Sequence, residues 1–306
     1  MKRDLFYYAA VAAICAAWMF SPWQTQARDG HINLSVRGDA MDSCSSLEVR
    51  SNGAVARADA SYTLPAGASL QIDGGARGNI KVRGWDKAEY QIQACRMAAA
   101  ATQAEADQML KSVSVGQSGS RFSVNGAGDG EWQVYFLVRA PRAAALDLET
   151  RNGPISVADL GGSIKTRAGN GPVSIQDCNG EIQVRATNGP ISFAGSGGNV
   201  SLNAHNGPIS LRLYGAQWSG QGLEARTTNG PLTLSLPDTY HSGVRIETSG
   251  HAPVSCRAAG PCAGARRESS GSQSTLELNG SNAIVRLSTE NGPVSVRTPS
   301  GSPREI

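Results

Sequence analysis

The chain has 306 residues, 36 of them glycine and 14 proline, with 6% aromatic residues and a net charge of +3. A balance so near neutrality, with Lys and Arg scattered along the chain, carries no signal for nucleic-acid binding. High glycine content and little long helical periodicity speak against a mainly helical fold and suit an all-β repeat protein.

Lys2 and Arg3 precede an apolar run from Leu5 to Phe20, followed by Ser21-Pro22 and Thr25-Gln26-Ala27. That order predicts a secretory signal over residues 1–27, cleaved after Ala27. The run is short for a membrane span, which needs about 20 residues. The alternative is an uncleaved anchor, through which the chain would touch a membrane. The expected location is therefore the periplasm, the cell surface or the medium. Cys15 follows Ile14 rather than a small residue, so it reads as part of the signal and not as a lipid site.

Residues 28–63 read as an irregular polar segment with one alternating patch, Ile32 to Val36. Strands are expected at Ser69–Ile72, Asn79–Val82 and Glu89–Ala94. A short helix is expected near 98–113, with Thr102 as N-cap and Glu105 completing a capping box. Further strands follow at Ser112–Val115, Arg121–Val124 and Trp132–Val138.

From Asn152 to Tyr214 the sequence divides into seven units of nine residues, and the odd units share Asn-Gly-Pro, so the stricter period is 18. The fourth position is always β-branched, from Ile155 to Ile209, and the sixth is apolar or Thr. Those two positions share a strand face. Asn-Gly and Gly-Gly are expected to supply the positive φ of a tight turn. Looser copies begin at Asn229, with about five inserted residues, and at Asn291, with a degenerate copy at Ala252-Pro253. The turns are thus Asn152-Gly153, Asn170-Gly171, Asn188-Gly189, Asn206-Gly207, Asn229-Gly230 and Asn291-Gly292. Residues 257–274 read as a loop and 298–306 as a polar tail.

Two folds accept this pattern. In a β-solenoid, a parallel β-helix or β-roll, about 18 residues make one coil. In an antiparallel meander or sandwich each Asn-Gly closes a hairpin. The distinction between odd and even units favours the solenoid, whose two sides differ; Asn152, Asn170, Asn188 and Asn206 would then stack at one corner. The repeats need both flanks to close a core, so one folding unit spans 64–297.

The successive Asn-Gly-Pro-Ile/Val-Ser strands resemble the bacterial putative-adhesin domain family, exported proteins of unknown function. So do the preceding Gly78-Asn79-Ile80-Lys81-Val82 segment, the Ala-rich helix and Val138-Arg139-Ala140-Pro141. The resemblance covers roughly 64–297. It implies a β-helical envelope protein and brings no catalytic residues.

Five cysteines follow Ala27. Cys256 and Cys262 flank a short Gly-Pro loop and are expected to pair; Cys44 with Cys95 is entered as a second pair without a local signal. Cys178 reads as a small buried hydrophobe, against the alternative of a reactive thiol. Asp159 and Asp177, at eighth positions, are expected to bond their turns. No cofactor is implied. A polysaccharide-acting enzyme would have to draw on Asp159, Asp177, Lys165, Arg167 and Arg185, among which no acid pair stands out, and His31, His205, His241 and His251 lack ligand spacing. The expected role is adhesin-like binding or surface scaffolding. The candidate contact face is Ser156, Ser174, Gln176, Ser192, Ser210 and Arg212, meeting a glycan or an envelope protein. The even units read as the more cationic face.

Calcium-binding nonapeptide rolls need Asp at the sixth position, which is apolar or Thr here. The melting temperature should therefore be the same in EDTA and in millimolar calcium, as measured by circular dichroism.

Overall fold

The structure is a computed structural model that describes residues 32–37, 43–126, 130–249 and 252–299. The expected signal over 1–27, and residues 300–306 of the tail, lie outside the described residues.

Within the repeat the chain alternates between two sheets. Odd units supply Ile155–Ala158, Val173–Gln176, Ile191–Gly195 and Ile209–Leu213 to the odd sheet. Even units supply Ser163–Ala168, Glu181–Ala186 and Gly197–Asn206 to the even sheet. Every pairing among these strands is parallel and two units apart: Ile155 with Val173, Val173 with Ile191, Ile164 with Ile182, Ile182 with Val200. Antiparallel hairpins do not form in the repeat. With its flanks the protein is all-β, carrying an 11-stranded and a 12-stranded sheet.

Alternation along each strand turns the fourth and sixth positions inward, and both sheets feed one core. Ile155, Val157, Ile164, Ile182, Val184 and Ile191 are each at most 1% exposed. Thr166 sits between Leu148 and Val184 in this core, its hydroxyl without a partner among the described residues.

The Asn-Gly corners are built differently from the expectation. Gly153, Gly171, Gly189, Gly207, Gly230 and Gly292 are absent from the positive-φ residues. What requires glycine there is close approach. A Cβ on Gly171 would land on the carbonyl oxygen of Gly153, one on Gly189 on that of Gly171, and so on through Gly292 onto Gly230. Beside this column the asparagine amides form a ladder. Asn170 Nδ2 donates to Asn152 Oδ1 at 2.7 Å, and Asn188, Asn206, Asn229 and Asn291 each donate to the preceding asparagine at 2.8–2.9 Å. Asn152 Nδ2 ends the ladder on Ala76 O.

The five residues inserted after Asn206 divide between two places. Gly197 pairs with Ser219, whereas Asn199 pairs with Gly222, so a bulge on the Ser219–Asn229 strand takes up the last of them. Further on, sequence order and spatial order part. The strand at Val294–Arg297 pairs with Leu232–Ser235 on one side and Val254–Cys256 on the other. Likewise Ala283–Asn291 lies between Ser219–Asn229 and Gly243–Thr248. The last copy in the chain therefore fills a gap left by the one before it.

Four segments depart from the sequence reading. The helix runs Gln103–Ser112, because Ala98 to Ala100 finish a strand, Glu89–Ala100, held antiparallel on both edges. Its capping box is formed: Thr102 Oγ1 accepts from Glu105 N–H, and Glu105 Oε2 accepts from Thr102 N–H. Residues 28–63 are not irregular throughout: Ala54–Pro65 is a strand along that same edge, and Leu34–Arg37 pairs with Glu48–Ser51. Cys44–Cys95 ties this small hairpin over Met97, Ala99 and Leu137, apolar residues on the outer face of the odd sheet. The loop expected over 257–274 contains a short helix, Ala259–Ala263, and a strand, Arg266–Ser270, paired with Gln273–Leu278. An unbroken polar run, with no apolar alternation, hid that strand, since it is exposed along its whole length. Strand pairing after the helix also starts later, at Ser114 rather than Ser112.

Gly189→Ala should destabilise the protein by about 3 kcal/mol or more, because the new methyl group meets a fixed backbone. Gly264→Ala, at φ −107° with open space beside it, should change stability by less than about 0.5 kcal/mol. Urea unfolding measures both.

Candidate functional site

The outer face of the odd sheet carries two columns. Parallel register aligns Ser156, Ser174, Ser192 and Ser210, then continues through Thr233, Ser295 and Ser255. Among the described residues, the hydroxyls of Ser156, Ser174, Ser192 and Ser210 have no protein hydrogen-bond partner. The second column runs Ala158, Gln176, Ala194, Arg212, Ser235 and Arg297. Ser235 is only 8% exposed and accepts a 3.4 Å hydrogen bond from Arg297 Nε. A shallow groove of about 240 Å³ runs over Ser174, Ser192, Ser210, Thr233, Arg212 and Arg297.

All six candidate contact residues therefore share one face, and the structure extends that face beyond Arg212. Thr233, Ser235, Ser295 and Arg297 were the residues missed. Their signal was present in sequence: Asn229-Gly230-Pro231-Leu232-Thr233 and Asn291-Gly292-Pro293-Val294-Ser295 repeat the odd unit. The long gap between them concealed that they are neighbours.

The even face differs in kind. Arg167 donates to Glu149 and to Asp147 at 2.9 Å, Arg226 to Glu224 at 2.8 Å, and Arg245 to Glu247 and Glu277 at 2.7 and 3.2 Å. The hydrogen bond from Arg167 to Glu149 is the main cause that raises the arginine's pKa above its ordinary value. The even face does hold Lys165, Arg167 and Arg185, of which Arg167 is answered by acids of the neighbouring strand and Lys165 and Arg185 form no ion pair among the described residues; Arg226 and Arg245 each meet an acid two residues away on their own strand. Its amides are occupied too, Gln183 on Glu181 and Asn203 on Ser201.

The groups an enzyme would have used are not brought together. Lys165, Arg167 and Arg185 project from the even sheet, whereas Asp159 and Asp177 follow odd strands. Both acids adopt left-handed backbone, φ 62° and 52°, which Asp tolerates better than most residues. Their carboxylates do not bond the turn as expected. Asp159 accepts from Arg83 Nε at 2.8 Å, and Asp177 from Gln176 Nε2 at 3.1 Å. His241 bonds Gln217; His31 and His251 lie outside the described residues. No group of three or more His, Cys, Asp or Glu is placed to hold a metal among the described residues. Nor is any described helix long and apolar enough to cross a membrane.

A second disulfide, Cys256–Cys262, closes the short loop beside the last odd strand, with Cα atoms 5.8 Å apart. Cys178 is a free thiol, 1% exposed, contacting Gln176 O at 3.2 Å. Burial pushes its pKa up to about 11.

No family profile and no curated protein matches the chain. Among solved structures it is similar to a putative adhesin of Bacteroides fragilis, at 11% identity and TM-score 0.40, covering 79% of this chain and 97% of that one. It is similar also to a putative cell adhesion protein of Clostridium sporogenes, at 9% and 0.34, covering 80% and 100%. A third is a putative lipid binding protein of Parabacteroides distasonis, at 9% and 0.32, covering 79% and 97%. Likenesses this distant carry no argument about this chain.

Burial and the raised pKa both work against the nucleophilic thiolate. In the protein without residues 1–27, which removes Cys15, Cys178 should leave a thiol reagent such as DTNB unreduced at neutral pH while folded. It should react with one equivalent once that chain is unfolded without reductant.

Proposed function

We propose that this is an exported, non-catalytic protein of the bacterial cell envelope. On this reading residues 146–297 form a β-solenoid of about 18 residues per coil, and the odd face is an adhesin-like binding surface for glycans. One observation carries the reading: Ser156, Ser174, Ser192 and Ser210 present half-buried or exposed hydroxyls free of internal partners, while on the even face Arg167, Gln183, Asn203, Arg226 and Arg245 bond neighbouring side chains. An array of hydroxyls at the spacing of neighbouring strands, about 4.8 Å, can donate to and accept from successive sugar units of a chain lying across the strands. Support for export comes from the order of residues 1–27 and from two disulfides, which persist in oxidising compartments. The Asn-Gly-Pro repeats support membership of the putative-adhesin domain family.

The test is binding of the purified protein to a glycan array and to isolated envelope polysaccharides. Ser174→Ala, Ser192→Ala and Ser210→Ala combined should weaken binding about 10-fold or more, at about 0.5–1.5 kcal/mol per lost hydrogen bond. Thermal stability should be nearly unchanged. Binding unaffected by the triple substitution would remove the serine column from the function.

A further inference from the structure

From Ala158 to Arg297 the odd face is chemically graded; on the other side of Ala158 the column continues into Arg83, which is paired with Asp159. At Ala158, Gln176 and Ala194 the second column is neutral; at Arg212 and Arg297 it is cationic. Arg257 follows in the same register, since its N–H bonds Val296 O, and it too is exposed. Arg212, Arg297 and Arg257 form no ion pair among the described residues. Between Ser174 and Ser255 no strand position on this outer face is Asp or Glu. Asp238, beyond the strands at this end, accepts from Thr298 Oγ1 at 2.8 Å and Ala259 N–H at 3.1 Å and forms no ion pair with these arginines.

The contrast with the even face gives this weight. There Arg167, Arg226 and Arg245 each meet a carboxylate, whereas Arg185 stands between Arg167 and Asn203 without an ion pair among the described residues. Unopposed guanidinium groups raise the local positive potential and attract anions. Arginine also binds carboxylates and sulfates through paired donors. Arg212 and Arg297 sit on either side of Ser235, two strand spacings apart, or about 9.6 Å. The adjoining column supplies Ser210, Thr233 and Ser295 on the same three strands.

We infer that the ligand of this face is a linear acidic polysaccharide, one bearing carboxylates along its length. It lies across the strands with its hydroxyls on the serine column and its charged groups on Arg212, Arg297 and Arg257. The inference rests on the glycan-binding reading above and specifies the class of glycan and its polarity on the face.

The experiment titrates the purified protein with polyuronate oligosaccharides and with neutral glucan oligosaccharides of equal length, by calorimetry. Arg212→Gln with Arg297→Gln should weaken polyuronate binding by about 10-fold or more. Arg185→Gln, on the even face, should leave it unchanged, and added salt should weaken wild-type binding. Circular dichroism confirms that each variant is folded. Equal affinity for neutral and acidic chains, lost on substituting the serines, would overturn the inference and leave the binding reading standing. Binding of neither glycan would overturn both. A polyuronate affinity that falls as much with Arg185→Gln as with the double substitution, or that duplex DNA matches, would reduce the effect to general attraction of polyanions and overturn the inference.

Discussion

The constraint on which the rest depends is the approach of backbone to backbone at the Asn-Gly corners. Each glycine Cα lies so near the carbonyl of the preceding corner glycine that no side chain fits between them. That contact sets the spacing of the strands on both sides of the corner, and the asparagine ladder holds it. Each amide donates to one neighbour and accepts from the next, so six residues form one directed chain of hydrogen bonds from Asn291 to Ala76 O. Stacked identical amides of this kind satisfy themselves without water and favour exact repetition of the backbone. Threonines support the same corners from inside: Thr150, Thr227 and Thr289 donate to Gly78, Gly207 and Gly230 carbonyls.

A repeat held this way must still end, and open parallel strands invite further pairing. At the N-terminal side the end is made by antiparallel strands and a helix. Ala106 of the helix packs on Ala56 and Ala100, small residues that let it sit close to the sheet. At the other side the chain overshoots, builds the outer strands Gly243–Thr248 and Val254–Cys256, and returns to fill the inner position. The outermost odd strand is then only three residues long and is tied by Cys256–Cys262. Short edges and covalent closure both limit pairing with another chain.

The two faces show how one repeat presents two chemistries. Both are exposed parallel sheets with the same strand spacing. On the even face, Arg167, Arg226 and Arg245 each bind a carboxylate on the neighbouring strand or on their own, so those guanidinium groups are already taken. On the odd face, serines recur because every odd unit carries Ser or Thr at the fifth position, and Arg212 and Arg297 have no acid opposite. The difference lies in which residue stands beside each arginine, one strand away for Arg167 and two positions along the same strand for Arg226 and Arg245.

Local rules determined a good deal. The period of nine with a stricter period of 18, the inward fourth and sixth positions, the asparagine corners and the Thr102–Glu105 cap were all legible, because each depends on residues close in sequence or on strict repetition. The serine column was legible as far as Ser210, and the second column as far as Arg212, for the same reason. What the sequence could not decide is anything that depends on non-repeating neighbours. The corner glycines looked like positive-φ turn residues, since the backbone that crowds them belongs to another strand pair. Ala98 to Ala100 looked helical until strands on both edges claimed them. Arg297 lies beside Ser235 only because the chain folds back across 62 residues, and Val254 lies outside Val294 although it comes first. Repetition writes spacing into the sequence, whereas insertion and return are settled by where the core still has an open edge. Tertiary packing alone decided that order, and with it the position of the cationic end of the odd face.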